Sequence, residues 1–186
     1  MINDVYLKKK LFHGIILHIV IKNRTNHIFM CADGWCKGAG LGMEQEVSEH
    51  VKRHFDEFYE ANPFLELLGV RVTSYERGRV RLDMDVKHEH TNVHHIAHGG
   101  VAATLVDTAM GVACFTCDKG VVTLEMNLSF IRPVYEGVAY AVGEVVHDGK
   151  RTMVCEGSVY GADGELCLKA RGTFFVVRNF MENPGD

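Results

Sequence analysis

The sequence lacks the features that mark several large classes of protein. Its 20 Lys and Arg are outnumbered by 24 Asp and Glu among 186 residues, so the net charge is −4, and basic residues form no extended cluster. The apolar run at residues 11–21 is eleven residues long and contains His13 and His18, whereas a membrane-spanning helix takes about 20 apolar residues. We therefore expect no nucleic-acid partner and no membrane span. No internal repeat or low-complexity segment is present, and the 47% of hydrophobic residues predict one domain of ordinary size.

The cysteines and histidines fall short of a metal-binding set. The pair Cys114-x-x-Cys117 has no second C-x-x-C partner, and the histidines between His88 and His98 match no closed zinc spacing. A metal site is therefore the less favoured interpretation of this cluster, and we expect neither a metal nor a cofactor. Free, buried thiols in a reducing cytoplasm explain the six cysteines better than disulfides do. They are Cys31, Cys36, Cys114, Cys117, Cys155 and Cys167.

Residues 1–42 differ in character from the rest of the chain. Lys8, Lys9 and Lys10 precede the apolar run, as in a secretory signal, yet no small-x-small cleavage site follows it. Two interpretations stay open: an accessory segment, such as a translated upstream region with the natural start at Met43, or a targeting or anchoring segment. We divide the chain into an extension of uncertain status at 1–42, a domain at 43–178 and a tail at 179–186.

Hydrophobic periodicity predicts an amphipathic helix from Glu44 to Tyr59, because Val47, Val51, Phe55 and Phe58 recur at helical spacing. Asn62-Pro63 ends this helix. A short apolar turn is expected at 64–68, and Gly69 would open the first strand.

Alternating apolar residues predict antiparallel strands after that turn. Turns at Asp148-Gly149 and at Ala162-Asp163-Gly164 separate strands at 138–146, 152–160 and 165–177. Consecutive hairpins around one buried helix predict an α+β fold. The two most regular alternating sets are Val80, Leu82, Met84 and Val86, and Val122, Leu124, Met126, Leu128 and Phe130.

The most informative stretch runs from Thr91 to Phe115. It joins a His-rich loop and a Gly-Gly pair to a helix-like run that is apolar on nearly every side, which is typical of a helix in the centre of a core. One carboxylate, Asp107, lies in the middle of this run. An ionised side chain in such a place costs several kcal/mol unless something compensates, so Asp107 is a candidate functional residue.

Gly99 and Gly100 lie where the helix begins, and backbone N–H groups at a helix start suit an oxygen that gains negative charge. Asp107 falls seven residues after Gly100 on the same face, beyond Thr104, and therefore about 10 Å along the axis. One carbonyl cannot easily be held at Gly100 and attacked from Asp107 of the same helix. A two-fold dimer would place the Asp107 of one chain opposite the Gly100 of the other.

Several motifs together resemble the hotdog-fold acyl-CoA thioesterases of the PaaI-like group, over about residues 62–177. They are Asn92, His98-Gly99-Gly100, Asp107-Thr108-Ala109, T-L-E-M-N-L-S-F-I-R-P at 123–133, G-E-V-V-H-D-G-K-R at 143–151 and A-R-G-T-F-F-V at 170–176. The resemblance implies an α+β hotdog fold, an antiparallel sheet wrapped around a central helix. One departure is visible, because His95 stands where many relatives carry a Gly three residues after the Asn.

The resemblance also implies roles for individual residues. Asp107 would act as general base on water or as direct nucleophile, with Gly100, Asn92 and His98 completing the catalytic set. Gly99, Thr104 and Thr123 would contact the substrate. Structural alternatives remain: a paired structural carboxylate for Asp107, a helix cap for His98, a local turn for Asn92 and an ordinary strand residue for Thr123.

These implications predict an acyl-CoA thioesterase that releases a free carboxylic acid and coenzyme A. The expected partner is an acyl-CoA, and the expected assembly is a homodimer or homotetramer with sites at the subunit interface. Two alternatives remain: a non-catalytic acyl-CoA-binding hotdog domain and a hotdog hydratase or dehydratase. The acyl group cannot be identified from the sequence.

Overall fold

The structure, a computed structural model, describes residues 47–60 and 62–180, with the backbone alone for 56–60. Three α-helices and a short 3₁₀ turn accompany six strands in this part of the chain. The helices are α1 (Glu49–Glu60), α2 (Pro63–Leu68) and α3 (Gly99–Phe115), and the 3₁₀ turn is His88–His90. The strands are β1 (Arg71–Glu76), β2 (Arg79–Val86), β3 (Lys119–Phe130), β4 (Gly137–Asp148), β5 (Thr152–Tyr160) and β6 (Leu166–Asn179).

All six strands pair antiparallel in one sheet, in the order β1-β2-β4-β5-β6-β3. The predicted α+β class with an antiparallel sheet around a central helix is therefore confirmed. The apolar residues of β2 point at α3, and Leu82 and Met84 are fully buried. Consecutive hairpins account for β1-β2 and β4-β5-β6, whereas β3 reaches the far edge of the sheet by pairing with β6.

The sheet approaches α3 closely because a glycine lies at the point of contact. A Cβ atom on Gly143 of β4 would collide with the backbone carbonyl of Ala109 in α3. Glycine in a strand interior commonly marks such a close approach of another backbone. On the helix side, Val106, Ala109 and Met110 are fully buried. The apolar helix predicted for the centre of the core is thus confirmed.

The apolar turn predicted at 64–68 is wrong, because these residues form helix α2. The Asn62 side chain accepts a hydrogen bond from Leu65 N–H at 3.4 Å, Pro63 occupies the first turn, and Gly69 ends the helix with a φ of 64°. Asn and Pro suit the start of a helix and Gly suits its end. Asn62-Pro63 therefore starts a second helix as well as interrupting the first.

The strand predicted over 122–130 is present, but its regular alternation breaks at Leu124, because β3 contains a β-bulge there. Thr123 pairs with Phe174 and Glu125 pairs with Thr173, so Leu124 is an extra residue between them. Phe174 is 1% exposed and faces α3, and Thr123 therefore faces α3 as well. A bulge re-aims side chains relative to a regular strand. Thr123 consequently shares the inner face with Met126 and Leu128.

Several predictions concern residues outside the described part of the chain. These include the extension at 1–42 and most of the tail at 179–186. The predicted start of the first helix at Glu44 is wrong, because Val47 and Ser48 are not helical and α1 begins at Glu49, where the Ser48 hydroxyl oxygen accepts a hydrogen bond from Val51 N–H. Strand β6 continues to Asn179, two residues beyond the predicted end, and the Phe180 ring packs edge-on against Phe115 at 5.6 Å between centroids. Within residues 47–60 and 62–180, no helix has the length and apolar character that a membrane crossing requires.

Candidate functional site

The first turn of α3 presents one free backbone N–H group. His98 caps the helix, and its Nδ1 accepts a hydrogen bond from Gly100 N–H at 3.1 Å. Gly99 is the first helical residue, and no acceptor for its N–H is found among the described residues. The sequence analysis assigned both glycines to the binding of a carbonyl oxygen, but their N–H groups differ in the structure. The Gly99 amide is available to a ligand, whereas the Gly100 amide is occupied by the capping imidazole.

The candidate carboxylate lies two turns further along the same helix and contacts β3. Thr123 donates a hydrogen bond from its hydroxyl to Asp107 Oδ1 at 2.9 Å. Asp107 is half-buried, on a face of α3 that the core does not enclose. Partial burial raises the pKa of the Asp107 carboxyl above its ordinary value, and the Thr123 hydrogen bond opposes this by favouring the charged form. A carboxylate with a raised pKa is better suited to accept a proton near neutral pH.

An open groove of about 500 Å³ lies beside the start of α3, and we call it the α3 groove. Helix α2 contributes an apolar side, the 3₁₀ turn contributes polar residues, and α3 contributes the floor. The lining residues are Phe64, Leu68, Glu89, His90, Thr91, His98, Gly100, Val101 and Thr104. Gly100, Thr104 and His98 are thus brought together as predicted candidates. Asp107 does not line this groove, so one chain holds the carboxylate and the groove at separate places on α3.

The predicted residue Asn92 is engaged in a local turn. Its Oδ1 accepts a hydrogen bond from His94 N–H at 2.8 Å, and its backbone carbonyl accepts one from His95 N–H at 2.9 Å. His95 has a φ of 57°, in the left-handed region where glycine is favoured. The loop therefore keeps a glycine-like conformation although a histidine occupies the position. The side-chain amide nitrogen of Asn92 can still donate hydrogen bonds to a ligand.

The histidine cluster does not assemble into a metal site in the part of the chain that the structure describes. No three His, Cys, Asp or Glu side chains converge there in a way that could hold a metal ion. His88 lies 3.5 Å from Glu136 and stacks on His95 at 5.9 Å, and His90 turns toward Lys87. The described cysteines are buried thiols: Cys114, Cys117, Cys155 and Cys167.

Strand β3 forms an open edge of the sheet with exposed apolar side chains. In the part of the chain that the structure describes, it pairs with β6 alone, on one side. Val122 is 49% exposed, Leu124 58% and Phe130 57%. Large exposed apolar residues along an unpaired strand edge are typical of an association surface. This edge lies next to Asp107, because Thr123 belongs to the same strand.

Sequence reasoning missed the groove residues on α2 and on the 3₁₀ turn. Phe64 and Leu68 looked like a turn, Glu89 was not singled out, and His90 was considered only as a metal ligand. No spacing signal links these residues to α3, because the contact arises from the tertiary fold. The one available signal was Asn62-Pro63, which is typical of a helix start and would have predicted that Phe64 lies on a helix.

Comparison with known proteins finds thioesterases and esterases similar to this chain. The family model described as "Thioesterase superfamily" matches residues 94–168. Acyl-coenzyme A thioesterase PaaI of Escherichia coli is 32% identical over 115 residues, which are 61% of this chain and 82% of that protein. A putative esterase of Saccharolobus solfataricus is 33% identical over 125 residues, 66% of this chain and 83% of its own length.

Solved structures agree with the sequence comparisons. The E. coli PaaI protein from the phenylacetic acid degradation operon matches with a TM-score of 0.68 and 25% identity, covering 72% of this chain and 98% of that chain. A protein of Streptococcus mutans bound to acetyl CoA matches with a TM-score of 0.57 and 28% identity, covering 59% of this chain and 90% of that chain.

Proposed function

Because this chain belongs to the thioesterase superfamily, in its PaaI-like group, we propose that it hydrolyses an acyl-coenzyme A to a free carboxylic acid and coenzyme A. The observation that carries the proposal is the Asp107 carboxylate, half-buried on α3 and held by Thr123 at 2.9 Å. The hotdog fold predicted from the resemblance is confirmed by the match to the PaaI structure. A thioester hydrolase needs a base or nucleophile and a donor for the carbonyl oxygen, and α3 offers both.

Asp107 would activate the attacking group. Its Oδ1 accepts the hydrogen bond of the Thr123 hydroxyl, and no partner of Oδ2 is found among the described residues. Oδ2 would therefore accept a proton from a water molecule. The raised pKa of Asp107 supports the general-base route, because a base works best when its pKa approaches the ambient pH. Direct attack by the carboxylate on the thioester carbonyl is the second route, and the same hydrogen bond would orient it.

The start of α3 would hold the carbonyl oxygen. Gly99 offers an N–H that has no acceptor within residues 47–60 and 62–180, at the helix end that carries partial positive charge. Gly100 N–H would join it when the substrate oxygen replaces His98 Nδ1 as acceptor. His98 thereby orders the first turn before the substrate binds. Asn92 and Thr104 would contact the substrate from the adjoining loop and from the floor of the α3 groove.

We propose that the site is shared between two chains. Gly100 and Asp107 are separated by about 10 Å along one helix axis, by the rise of about 1.5 Å per residue. The exposed apolar edge of β3 would be buried by pairing with the same edge of a second chain. Asp107 of one chain would then face the α3 groove of its partner. A homodimer is the minimal assembly, and a homotetramer would be a pair of such dimers.

We propose a catalytic domain at 43–178, which holds the groove, Asp107 and every strand residue of the sheet except Asn179, the last residue of β6. We propose that residues 1–42 are an N-terminal extension and that the C-terminal tail begins after Phe180, because β6 reaches Asn179 and the Phe180 ring packs against Phe115. The buried free thiols support a reducing compartment, and we propose the cytoplasm.

The proposal is tested by incubating the purified full-length protein with a panel of acyl-CoAs and measuring the released coenzyme A thiol. Hydrolysis of at least one acyl-CoA at a rate that Asp107→Asn abolishes is the expected result. Binding of acyl-CoA without release would support the non-catalytic alternative. Loss of the enoyl absorbance with an enoyl-CoA, without thiol release, would support the hydratase alternative.

A further inference from the structure

The middle of α3 rests on strand β5 at Gly157. Val106 Cγ2 occupies the space that a Cβ atom on Gly157 would need, and Met110 Cγ would lie 3.2 Å from such an atom. Val106 and Met110 are fully buried, and closely packed side chains in a core have little room to move. The lack of a side chain at Gly157 therefore determines how near α3 lies to β5.

A second close contact with the same turn of α3 comes from strand β4. Gly143 pairs with Gly157 across the two strands, and paired residues face the same side of a sheet. A Cβ atom on Gly143 would collide with the backbone of Ala109 and would lie 2.6 Å from Met110 N. A helix backbone cannot rotate away as a side chain can. Two neighbouring strands thus hold this turn of α3 at a fixed distance from the sheet.

The same turn carries the candidate base on the side that faces β6 and β3. Asp107 lies one helical turn before Gly111. Phe174, which pairs with Thr123, has its Cε1 4.0 Å from the position of a Cβ atom on Gly111. Thr123 donates its hydrogen bond to Asp107 Oδ1 at 2.9 Å. The oxygens of an O–H···O hydrogen bond lie about 2.5–3.0 Å apart, so moving α3 away from the sheet by about 1 Å would break this bond.

We propose that Gly157 is a positioning residue for the hydrolysis. It lets Val106 lie directly on β5, and this depth of α3 brings Asp107 within hydrogen-bonding distance of Thr123. The inference rests on the proposed thioesterase function, in which Asp107 is the base. Gly157 is not one of the residues that line the α3 groove, so its effect on the reaction passes through the position of α3. A misplacement of about 1 Å caused far from the reacting atoms can cost about 100-fold in rate.

The first test compares kcat on one acyl-CoA in Gly157→Ala, in Val106→Ala and in the double variant. Gly157→Ala should lower kcat by about 10-fold to 100-fold, because the added methyl group pushes α3 outward. Val106→Ala is the matched control: it also costs stability by leaving a cavity, but kcat should stay within about twofold of wild type. In the double variant the added methyl group takes the space that Val106 Cγ2 leaves, so kcat should return to within about threefold of wild type.

The second test needs no turnover. Thr123→Val is introduced into wild type and into each of the three variants, and the urea midpoint of unfolding is measured at neutral pH. The midpoint should fall in wild type, in Val106→Ala and in the double variant, where the hydrogen bond to Asp107 forms. It should not change in Gly157→Ala, because the bond is already broken there. If the wild-type protein hydrolysed no acyl-CoA, the thioesterase proposal would be refuted, and this pattern of midpoints would still support the role of Gly157 in placing Asp107.

Three results would overturn the inference. One is an unchanged kcat in Gly157→Ala. Another is an equal fall of kcat in Val106→Ala, because lost stability alone would then explain both variants. The third is an effect of Thr123→Val on the urea midpoint that is the same in all four backgrounds. If Gly157→Ala does not fold, Val106→Leu takes its place in both tests, because it crowds the same contact from the helix side with one additional methylene group.

Discussion

The Thr123 hydroxyl donates a 2.9 Å hydrogen bond to Asp107 Oδ1, which ties the edge strand β3 to the middle of helix α3. Partial burial raises the pKa of the Asp107 carboxyl and this hydrogen bond acts in the opposite direction. The contact therefore sets both the orientation of the carboxylate and the pH range in which it can accept a proton. It also brings the candidate base to the open edge of the sheet, where a second chain can reach it.

Thr123→Val should move the acid limb of the kcat/KM profile to higher pH. The variant removes the hydrogen bond that stabilises the charged form, so the Asp107 pKa rises further and the carboxylate is available only at higher pH. The pH dependence of kcat/KM measures this shift. Thr173→Val is the matched control, since Thr173 donates a hydrogen bond at 2.9 Å to Glu125 on the other face of the same strand pair. An unmoved limb in Thr123→Val, or one moved to lower pH, would contradict the assigned role.

Thr123 also shows where sequence pattern is informative and where it is not. Strand β2 was predicted in full because each apolar residue from Val80 to Val86 faces the core and each charged one faces away. The inward direction of Thr123 was not predicted, because Leu124 is as apolar as its neighbours and nothing in the residue types marks it as the bulge.

The candidate site was predictable to a similar extent. Asp107, Gly99 and Gly100 were evident because a carboxylate in an apolar helix and a glycine pair at its start are both chemically unusual. The hydrogen bond from Gly100 N–H to His98 Nδ1 depends on backbone geometry, and the position of His90 in the α3 groove depends on tertiary contact. Residue spacing encodes neither of them.

Leu124→Lys should weaken self-association. The Leu124 side chain is 58% exposed on the unpaired edge of β3, so a lysine there should leave the fold of one chain intact while placing a charge in the proposed interface. Analytical ultracentrifugation over a concentration range should show a shift toward monomer, with turnover falling in parallel. Val146→Lys is the control, because Val146 is 54% exposed on β4 and away from the β3 edge. A Leu124→Lys protein that stays dimeric and active would exclude this edge as the interface.

Mixing two inactive variants should restore activity if the site is shared. Asp107→Asn lacks the base, and Gly100→Pro lacks one carbonyl-binding amide while Pro remains tolerated in the first helical turn. Random pairing of equal amounts yields heterodimers with one intact site, so about a quarter of the wild-type turnover is expected. Mass spectrometry of differently tagged subunits verifies the heterodimer. Verified heterodimers without recovered turnover would mean that both elements act within one chain.

His95→Val should destabilise the protein more than His94→Val does. His95 has a φ of 57°, and a β-branched residue there costs about 1–2 kcal/mol relative to one with ordinary backbone angles. His95→Gly should be neutral or stabilising, because glycine adopts this conformation without strain. Urea unfolding at neutral pH measures the three variants. Equal free energies of unfolding for His95→Val and His94→Val would show that the loop relaxes out of the left-handed conformation.

The difference in unfolding temperature between Asp107→Asn and wild type should depend on pH. Burial raises the pKa of this carboxyl in the folded state, so the folded state binds the proton more tightly than the unfolded state does. The charged carboxylate therefore disfavours folding above the folded-state pKa, and this penalty disappears below the unfolded value of 3.8. The variant should accordingly unfold at a higher temperature than wild type at neutral pH, and the difference should shrink as the pH falls toward 3.8. A destabilised variant at neutral pH would contradict this sign.

The most direct measurement is the steady-state turnover of Asp107→Asn on an acyl-CoA that the wild-type protein hydrolyses. The substitution is nearly isosteric and removes the charge, so the fold and substrate binding should persist while the base is lost. We expect kcat to fall by about 10²–10⁴-fold with KM little changed, the contribution typical of general-base catalysis. If the kcat of Asp107→Asn stayed within about threefold of the wild-type kcat, that result would contradict the catalytic role of Asp107 and the proposed mechanism.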